Sequence, residues 1–117
     1  MTHKNLDAWK KSMDLVDKAY EIAKEFPKWE DFILKQQFLK SAISIPSNLA
    51  EGCGRSSDKE LIRFIDISLG SLAELDTQYE IAVRQSYFSR NNDFEILHTE
   101  AGKLMIGLKR YLQNKKR

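Results

Sequence analysis

Cysteine and histidine are scarce in this chain of 117 residues, which contains one cysteine and two histidines. Cys53 alone cannot form an internal disulfide or supply paired thiolates to a metal ion. A carboxylate di-iron bundle needs two Glu-x-x-His pairs and further glutamates. Glu95 and His98 form one such pair, and the other histidine, His3, lies at the N-terminus. We therefore expect no metal site and no cofactor, and we place His98 at the surface or at its boundary.

Long apolar runs are also absent. No run approaches the ~18 residues that would suggest a membrane span, and residues 1–7 contain no apolar signal core. The sequence predicts a cytoplasmic protein without a membrane role. No base and orienting partner can be recognised for Cys53, and residues 52–55 lack the order and spacing of a phosphate-binding loop. We expect no catalytic residues and no enzymatic activity.

Four segments carry apolar residues at the three-and-four spacing of one helical face. They cover about residues 5–26, 30–52, 58–86 and 92–114. Residues 57–60 and 92–95 have the pattern of a capping box at the start of the third and fourth segments. No segment alternates for long with a period of two residues. The sequence predicts one all-α domain over residues 1–117, an antiparallel up-down-up-down four-helix bundle.

Proline and glycine have specific positions in this pattern. Pro46 lies inside the second segment, where the missing N–H is expected to kink the helix. Gly52 or Gly54 is expected to end that helix in the left-handed conformation. Gly70, beside Ser71 in the middle of the third segment, costs roughly 1 kcal/mol relative to alanine. Its presence predicts a close approach by a neighbouring helix.

Three polar residues lie among apolar neighbours: Asn48, Glu51 and Glu74. One interpretation is a shared recognition site. The other is that they satisfy backbone groups freed by Pro46 or by the helix end, because a buried polar group without a partner costs about 1–3 kcal/mol. We favour the structural role or a role in a subunit interface, and expect Asn48→Ala to lower the melting temperature more than any binding.

The net charge of +2 is unevenly distributed. Residues 1–100 contain 13 basic and 17 acidic residues, a net of −4, and the remainder contains six basic and no acidic residues. Clustered positive charge gives salt-dependent binding of nucleic acid, whereas tail cations alone can also complement a helix dipole. Tyr111 is expected to pack in the core rather than stack on a base. The candidate nucleic-acid contacts are Arg55, Lys109, Arg110, Lys115, Lys116 and Arg117.

The stretches Ser44–Gly52, Lys59–Phe64 and Leu69–Leu75 resemble the four-helix-bundle proteins encoded in intervening sequences of bacterial 23S ribosomal RNA genes. That family is similar to the accessory variability determinant proteins of diversity-generating retroelements. The resemblance implies a homo-oligomer, a ring-like pentamer, and, from the accessory proteins, binding of nucleic acid and of a reverse transcriptase through basic surface. The positions singled out in or beside these stretches are Pro46, Asn48, Glu51, Gly52, Gly70, Ser71 and Glu74.

Two functions remain open at this point. The first is a non-enzymatic homo-oligomeric adaptor that contacts RNA or DNA through clustered basic residues. The alternative is a protein-protein interaction module with no role for nucleic acid. Both involve self-association, because the third segment has more apolar surface than one small bundle obviously covers.

Overall fold

A computed structural model of the chain describes residues 2–115. The four α-helices are α1 (Asp7–Ala23), α2 (Leu34–Cys53), α3 (Asp58–Arg84) and α4 (Asn92–Asn114). Short 3₁₀ turns at His3–Asn5 and Lys28–Glu30 precede α1 and α2. Residues 2–115 contain no β-strand, and the prediction of an all-α fold is confirmed.

The helices form a closed circle around one core. Each of α1 and α3 packs against both α2 and α4. Ion pairs between Lys11 and Glu100 (3.3 Å) and between Lys18 and Asp93 (3.9 Å) show that α1 and α4 run in opposite directions. The bundle measures 51 × 25 × 20 Å along its principal axes. These features confirm an antiparallel four-helix bundle.

The connection between α1 and α2 is longer than the apolar pattern predicts. α1 ends at Ala23 instead of residue 26, and α2 begins at Leu34 instead of residue 30. The Glu30 carboxylate accepts a hydrogen bond from the Leu34 amide at 3.0 Å, which satisfies a donor in the first turn of α2. Phe32 and Ile33, which the periodicity assigned to the helix, therefore lie in the turn before it.

Side-chain caps fix the starts of α3 and α4. The Ser57 hydroxyl accepts a hydrogen bond from the Glu60 amide at 3.2 Å, as the capping-box pattern predicts. The cap of α4 is Asn91, one residue earlier than predicted, and its side-chain oxygen accepts from the Phe94 amide at 2.9 Å. α3 ends at Arg84, two residues early, and Ser86 takes a positive φ of 63° in the turn that follows.

The core contains apolar side chains from all four helices. Phe94 of α4 stacks on Tyr79 of α3 with ring centroids 4.4 Å apart. The largest fully buried apolar side chains are Tyr79, Phe38, Phe94, Leu15, Ile22, Ile45, Leu49, Ile65, Leu75, Met105 and Leu112.

Most of the apolar surface of α3 is covered within the bundle. Its exposed large apolar side chains are Ile67 and Ile81, with 40% and 41% of their surface accessible. The greatest apolar exposure instead occurs at the turn between α1 and α2, where Trp29, Phe32 and Ile33 are 67%, 87% and 57% exposed. The surplus that the sequence analysis assigned to α3 therefore lies mainly on another part of the bundle.

Two of the glycine predictions require correction. Gly54 has a φ of −80°, and no glycine in residues 2–115 takes a positive φ, so the left-handed helix end is not found. A Cβ atom placed at Gly70 would meet nothing within 4 Å, so no helix of the same chain approaches there. The close approach occurs at Gly52, where a Cβ would lie 2.8 Å from both Leu61 Cδ1 and Phe64 Cβ. α2 is continuous through Pro46, and the kink there stays a prediction.

Candidate nucleic-acid interface

Two of the predicted basic contacts meet at one end of the bundle. Arg55 follows α2 and Lys115 follows α4, and both line a cleft of about 270 Å³ beside the start of α3. Each has an acidic neighbour: Arg55 pairs with Glu51 at 3.0 Å, and Lys115 pairs with Asp58 at 3.0 Å. Their charge is therefore partly neutralised before any ligand binds.

The other predicted contacts differ in availability. Lys109 pairs with Asp66 of α3 at 2.7 Å. Arg110 is exposed and forms no ion pair with any residue in the range 2–115. Lys116 and Arg117 lie outside the described residues. Among the predicted cations within residues 2–115, Arg110 thus has the most accessible charge.

Charge is separated along the long axis of the bundle. When each helix is divided near its midpoint, residues 2–15, 44–71 and 103–115 form one half, with 10 basic and 6 acidic residues and a net of +4. Residues 16–43 and 72–102 form the other half, with 7 basic and 11 acidic residues and a net of −4. We call them the basic half and the acidic half. The net charge of the whole chain conceals this separation because the two halves cancel.

Several cations of the basic half were not singled out from the sequence. Lys103 lies near the middle of α4, whereas Lys10 of α1 and Lys59 of α3 lie in the first turns of their helices, at the end occupied by Arg110. Only the antiparallel packing brings them together, because they are far apart in the chain. The signal available beforehand was the predicted topology, which places the start of α1 and α3 at the same end as the close of α2 and α4.

Tyr111 departs from its predicted position. It is 60% exposed instead of buried in the core, and the Lys115 ammonium lies 5.8 Å from its ring centre. An aromatic face beside cations is the arrangement on which single-stranded bases stack.

The polar motif residues act mainly within the bundle. The Asn48 side-chain amide donates to the Ser44 carbonyl and contacts the Ser44 hydroxyl, both at 2.9 Å. The Ser44 and Ser71 hydroxyls are 2.8 Å apart and join α2 to α3. Glu51 pairs with Arg55, whereas Glu74 is exposed and has no ion pair among residues 2–115. Asn48 and Ser71 thus form hydrogen bonds within the bundle, but the carbonyl that Asn48 binds belongs to Ser44 and not to Ala42, whose helical N–H donor is missing at Pro46. The structural role favoured for Asn48, Glu51 and Glu74 stays a prediction.

The remaining candidate positions are His98 and Cys53. The half-buried His98 ring donates from Nε2 to the Leu72 carbonyl at 2.8 Å. Burial raises the pKa of the Cys53 thiol and keeps it protonated. Within the described part of the chain, no three His, Cys, Asp or Glu side chains lie together in a way that could hold a metal ion.

Two hydrogen-bonded tyrosines, Tyr79 in the core and the partly buried Tyr87, were missed by the sequence analysis. Burial and the bond to Glu95 raise the pKa of Tyr79 to about 12. Desolvation and the 2.6 Å bond to the Glu30 carboxylate raise the pKa of Tyr87 to about 12. Both tyrosines join chain segments at the acidic half, so their role is to hold turns in place.

No helix in residues 2–115 has the length and apolar character needed to cross a membrane.

The fold and the sequence of this chain are similar to those of known proteins. A crystal structure of a protein of unknown function from the S23 ribosomal protein family of Bacteroides thetaiotaomicron VPI-5482 superposes with a TM-score of 0.77. The two sequences are 24% identical, and the match covers 88% of this chain and 95% of the other. No curated protein matches the chain. The model of the 23S rRNA-intervening sequence protein family matches residues 4–109, and the chain belongs to that family.

Proposed function

We propose that this protein is a non-enzymatic cytoplasmic adaptor that assembles with copies of itself and binds RNA or DNA through its basic half. The separation of +4 from −4 along the bundle carries the proposal. The proposal takes self-association into a ring-like pentamer from what the resemblance to the intervening-sequence family implies. In such a ring with parallel subunits, every basic half lies on the same side.

The binding mechanism is electrostatic. Lys and Arg side chains displace condensed counterions from the phosphate backbone, so affinity falls steeply as salt rises. Each contact is weak alone, but several copies of one basic surface act together on one strand. Tyr111 adds stacking that does not depend on the base, and the proposal includes no sequence readout.

Salt-dependent binding to a fluorescent single-stranded RNA tests the mechanism. The test variant replaces Lys59, Lys103 and Arg110 with glutamine, and none of these three forms an ion pair within the described residues. Its matched control replaces Lys24, Lys28 and Arg84 of the acidic half with glutamine and changes the net charge by the same amount. We expect the first variant to bind more weakly and to reduce the slope of log K against log salt by about 2, since each single-strand contact contributes ~0.7. Equal losses in both variants, or no RNA binding by the natural chain, would contradict the proposal.

A truncated chain can measure how much the C-terminal basic residues contribute to binding, and the position of the truncation decides whether packing is also lost. Leu112 is 1% exposed in the core, so a version ending at Leu108 loses packing as well as charge. A version ending at Asn114 keeps all of α4 and removes only the last three basic residues. It is the appropriate truncation for measuring the contribution of the tail.

The exposed turn between α1 and α2 favours the alternative, a module that binds a protein partner without nucleic acid. Trp29, Phe32 and Ile33 are three large, exposed apolar side chains within five residues of the chain, and exposed apolar patches are typical of interaction sites. By analogy with the accessory proteins, the partner is a protein such as a reverse transcriptase. A partner that remains bound after nuclease treatment and high salt, and is lost with Phe32→Ser, would support this function over the first.

A further inference from the structure

No contact within the described subunit requires a glycine at position 70. It lies in the middle of α3, it is exposed, and a Cβ there would meet nothing within 4 Å. Ile67, Glu74 and Ile81 lie on the same side of the helix at intervals of three, four and seven residues. We call these four residues the Gly70 face. It combines two exposed isoleucines, a carboxylate with no ion pair among residues 2–115 and a gap at its centre.

A complementary surface lies on the outer side of α2. Two shallow depressions of about 410 and 370 Å³ meet at Ile43, which is 42% exposed. The first contains Leu39 and Lys40, and the second contains Pro46, Ala50 and side chains of α1. We call this surface the Ile43 groove. Lys40 at its edge forms no ion pair with any residue in the range 2–115.

We infer that the Ile43 groove is occupied by the Gly70 face of a second copy of this chain. The inference rests on the self-association in the proposed function and identifies the surfaces that meet. Because two different surfaces are joined, the contact is heterologous and forms a ring when the rotation closes. A contact of standard size covers about 800 Å² per partner, a modest part of the 7074 Å² that the subunit exposes.

The levels of these residues along the bundle agree with this arrangement. The 2.8 Å contact between Ser44 and Ser71 marks a common level on α2 and α3. Lys40 precedes Ser44 by four residues and Glu74 follows Ser71 by three. Since the helices are antiparallel, Lys40 and Glu74 both lie about one turn, ~5 Å, toward the acidic half.

The apolar positions follow the same register. Ser68 donates to the Ile45 carbonyl at 2.9 Å, so these two residues share a level. Gly70 and Ile43 lie two residues farther in the same direction along the bundle and share the next level. A rotation about an axis parallel to the bundle moves no atom along that axis, so neighbours in a ring meet at equal levels. The ring thus places Ile43 opposite the gap at Gly70 and Lys40 opposite Glu74.

Substitution of Gly70 tests the contact. Gly70→Leu adds a side chain into open space within the subunit, so the helix and its melting transition should persist. In the assembly the leucine fills the gap that Ile43 needs, and we expect self-association to weaken roughly tenfold or more. Gly107→Leu is the matched control, because Gly107 is also helical, exposed and without neighbours within 4 Å. Mass in solution by light scattering, with circular dichroism as the folding check, gives the readout.

Lys40 and Glu74 also line one depression within a single subunit, so a mixture of two charge-reversal variants is used to distinguish contact between subunits from contact within one. Lys40→Glu and Glu74→Lys should each weaken self-association when alone, because like charges then face each other. A mixture of the two variants should recover mixed oligomers in native mass spectra, since each supplies the charge that the other lacks. Failure of the mixture to recover assembly would contradict the contact.

The outcomes separate this inference from the proposed function. A natural chain that is monomeric at micromolar concentration would overturn self-association itself and this contact with it. A natural oligomer that Gly70→Leu and both charge reversals leave intact would overturn the contact alone. Loss of assembly in Gly107→Leu as severe as in Gly70→Leu would also overturn it, because the effect would not be specific to the Gly70 face.

Discussion

The Tyr79 hydroxyl lies 2.7 Å from the backbone nitrogen of Asn91 and 2.7 Å from the Glu95 carboxylate. It accepts from the first group and donates to the second. The buried phenol thereby gives the amide of Asn91, the cap of α4, a hydrogen-bond acceptor, and it also binds Glu95 in the first turn of that helix. Arg90 completes the arrangement by bridging Glu80 and Glu95 at 2.7 and 3.1 Å.

Tyr79→Phe should remove this link with little change in core packing. The Asn91 amide then loses its acceptor, and we expect the free energy of unfolding to fall by about 1–3 kcal/mol. Urea denaturation measures the change. Tyr20→Phe is the control, because Tyr20 is 48% exposed and should change stability little. Equal stability of Tyr79→Phe and the natural chain would show that the hydrogen bonds contribute nothing net.

Alkaline pH should destabilise the bundle through Tyr79 and Tyr87. Burial and carboxylate neighbours raise the pKa of both phenols from 10 to about 12. The folded state therefore holds these protons more tightly than the unfolded state. The resulting stabilisation is complete below pH 10 and is lost as the pH rises from about 10 to about 12. Unfolding free energies measured across that range should fall less steeply in a Tyr79→Phe/Tyr87→Phe variant.

Gly52→Ala should destabilise the protein. The new methyl group would lie 2.8 Å from Leu61 Cδ1 and Phe64 Cβ, so α2 and α3 must separate. Such overpacking typically costs about 1–3 kcal/mol. Gly107→Ala is the informative comparison, because its methyl group meets nothing within 4 Å and alanine favours the helix by up to ~1 kcal/mol. Thermal unfolding should therefore shift in opposite directions for the two variants.

Asn48→Ala should lower thermal stability by about 1 kcal/mol through loss of the bonds to Ser44. RNA affinity per folded molecule should be unchanged, because within residues 2–115 the side chain binds Ser44 on its own helix and forms no hydrogen bond with a cation of the basic half. Asn92→Ala, at an exposed position, controls for loss of an amide. A fully stable Asn48→Ala that no longer assembles would instead assign this residue to a subunit contact.

The helices were predictable because each buries one face, and that face repeats every three to four residues. The same rule was wrong at Phe32 and Ile33. Their spacing fits α2, but the helix begins after them, at Leu34, whose amide donates to the Glu30 carboxylate. A carboxylate two residues before an apolar pair does not by itself predict such a helix start. The glycines show a second limit. A sequence shows where backbone could approach closely, yet only the packing of Leu61 and Phe64 decides that Gly52 is the place and Gly70 is not.

The candidate interface was only partly predictable for a related reason. Lys109, Arg110 and Lys115 are close in sequence, so their cluster was visible. Lys10 and Lys59 join them only when antiparallel helices bring distant segments to one end. The pairing of Lys109 with Asp66 was also hidden, because it joins residues 43 positions apart.

Opposite charges on the two halves give the bundle a permanent electric dipole moment along its length. A molecule of this kind turns in the field of a polyanion before the two touch, and approaches with its cationic end leading. The encounter rate, and not only the final affinity, should therefore depend on ionic strength. This holds although residues 2–115 contain as many acidic as basic side chains, 17 of each.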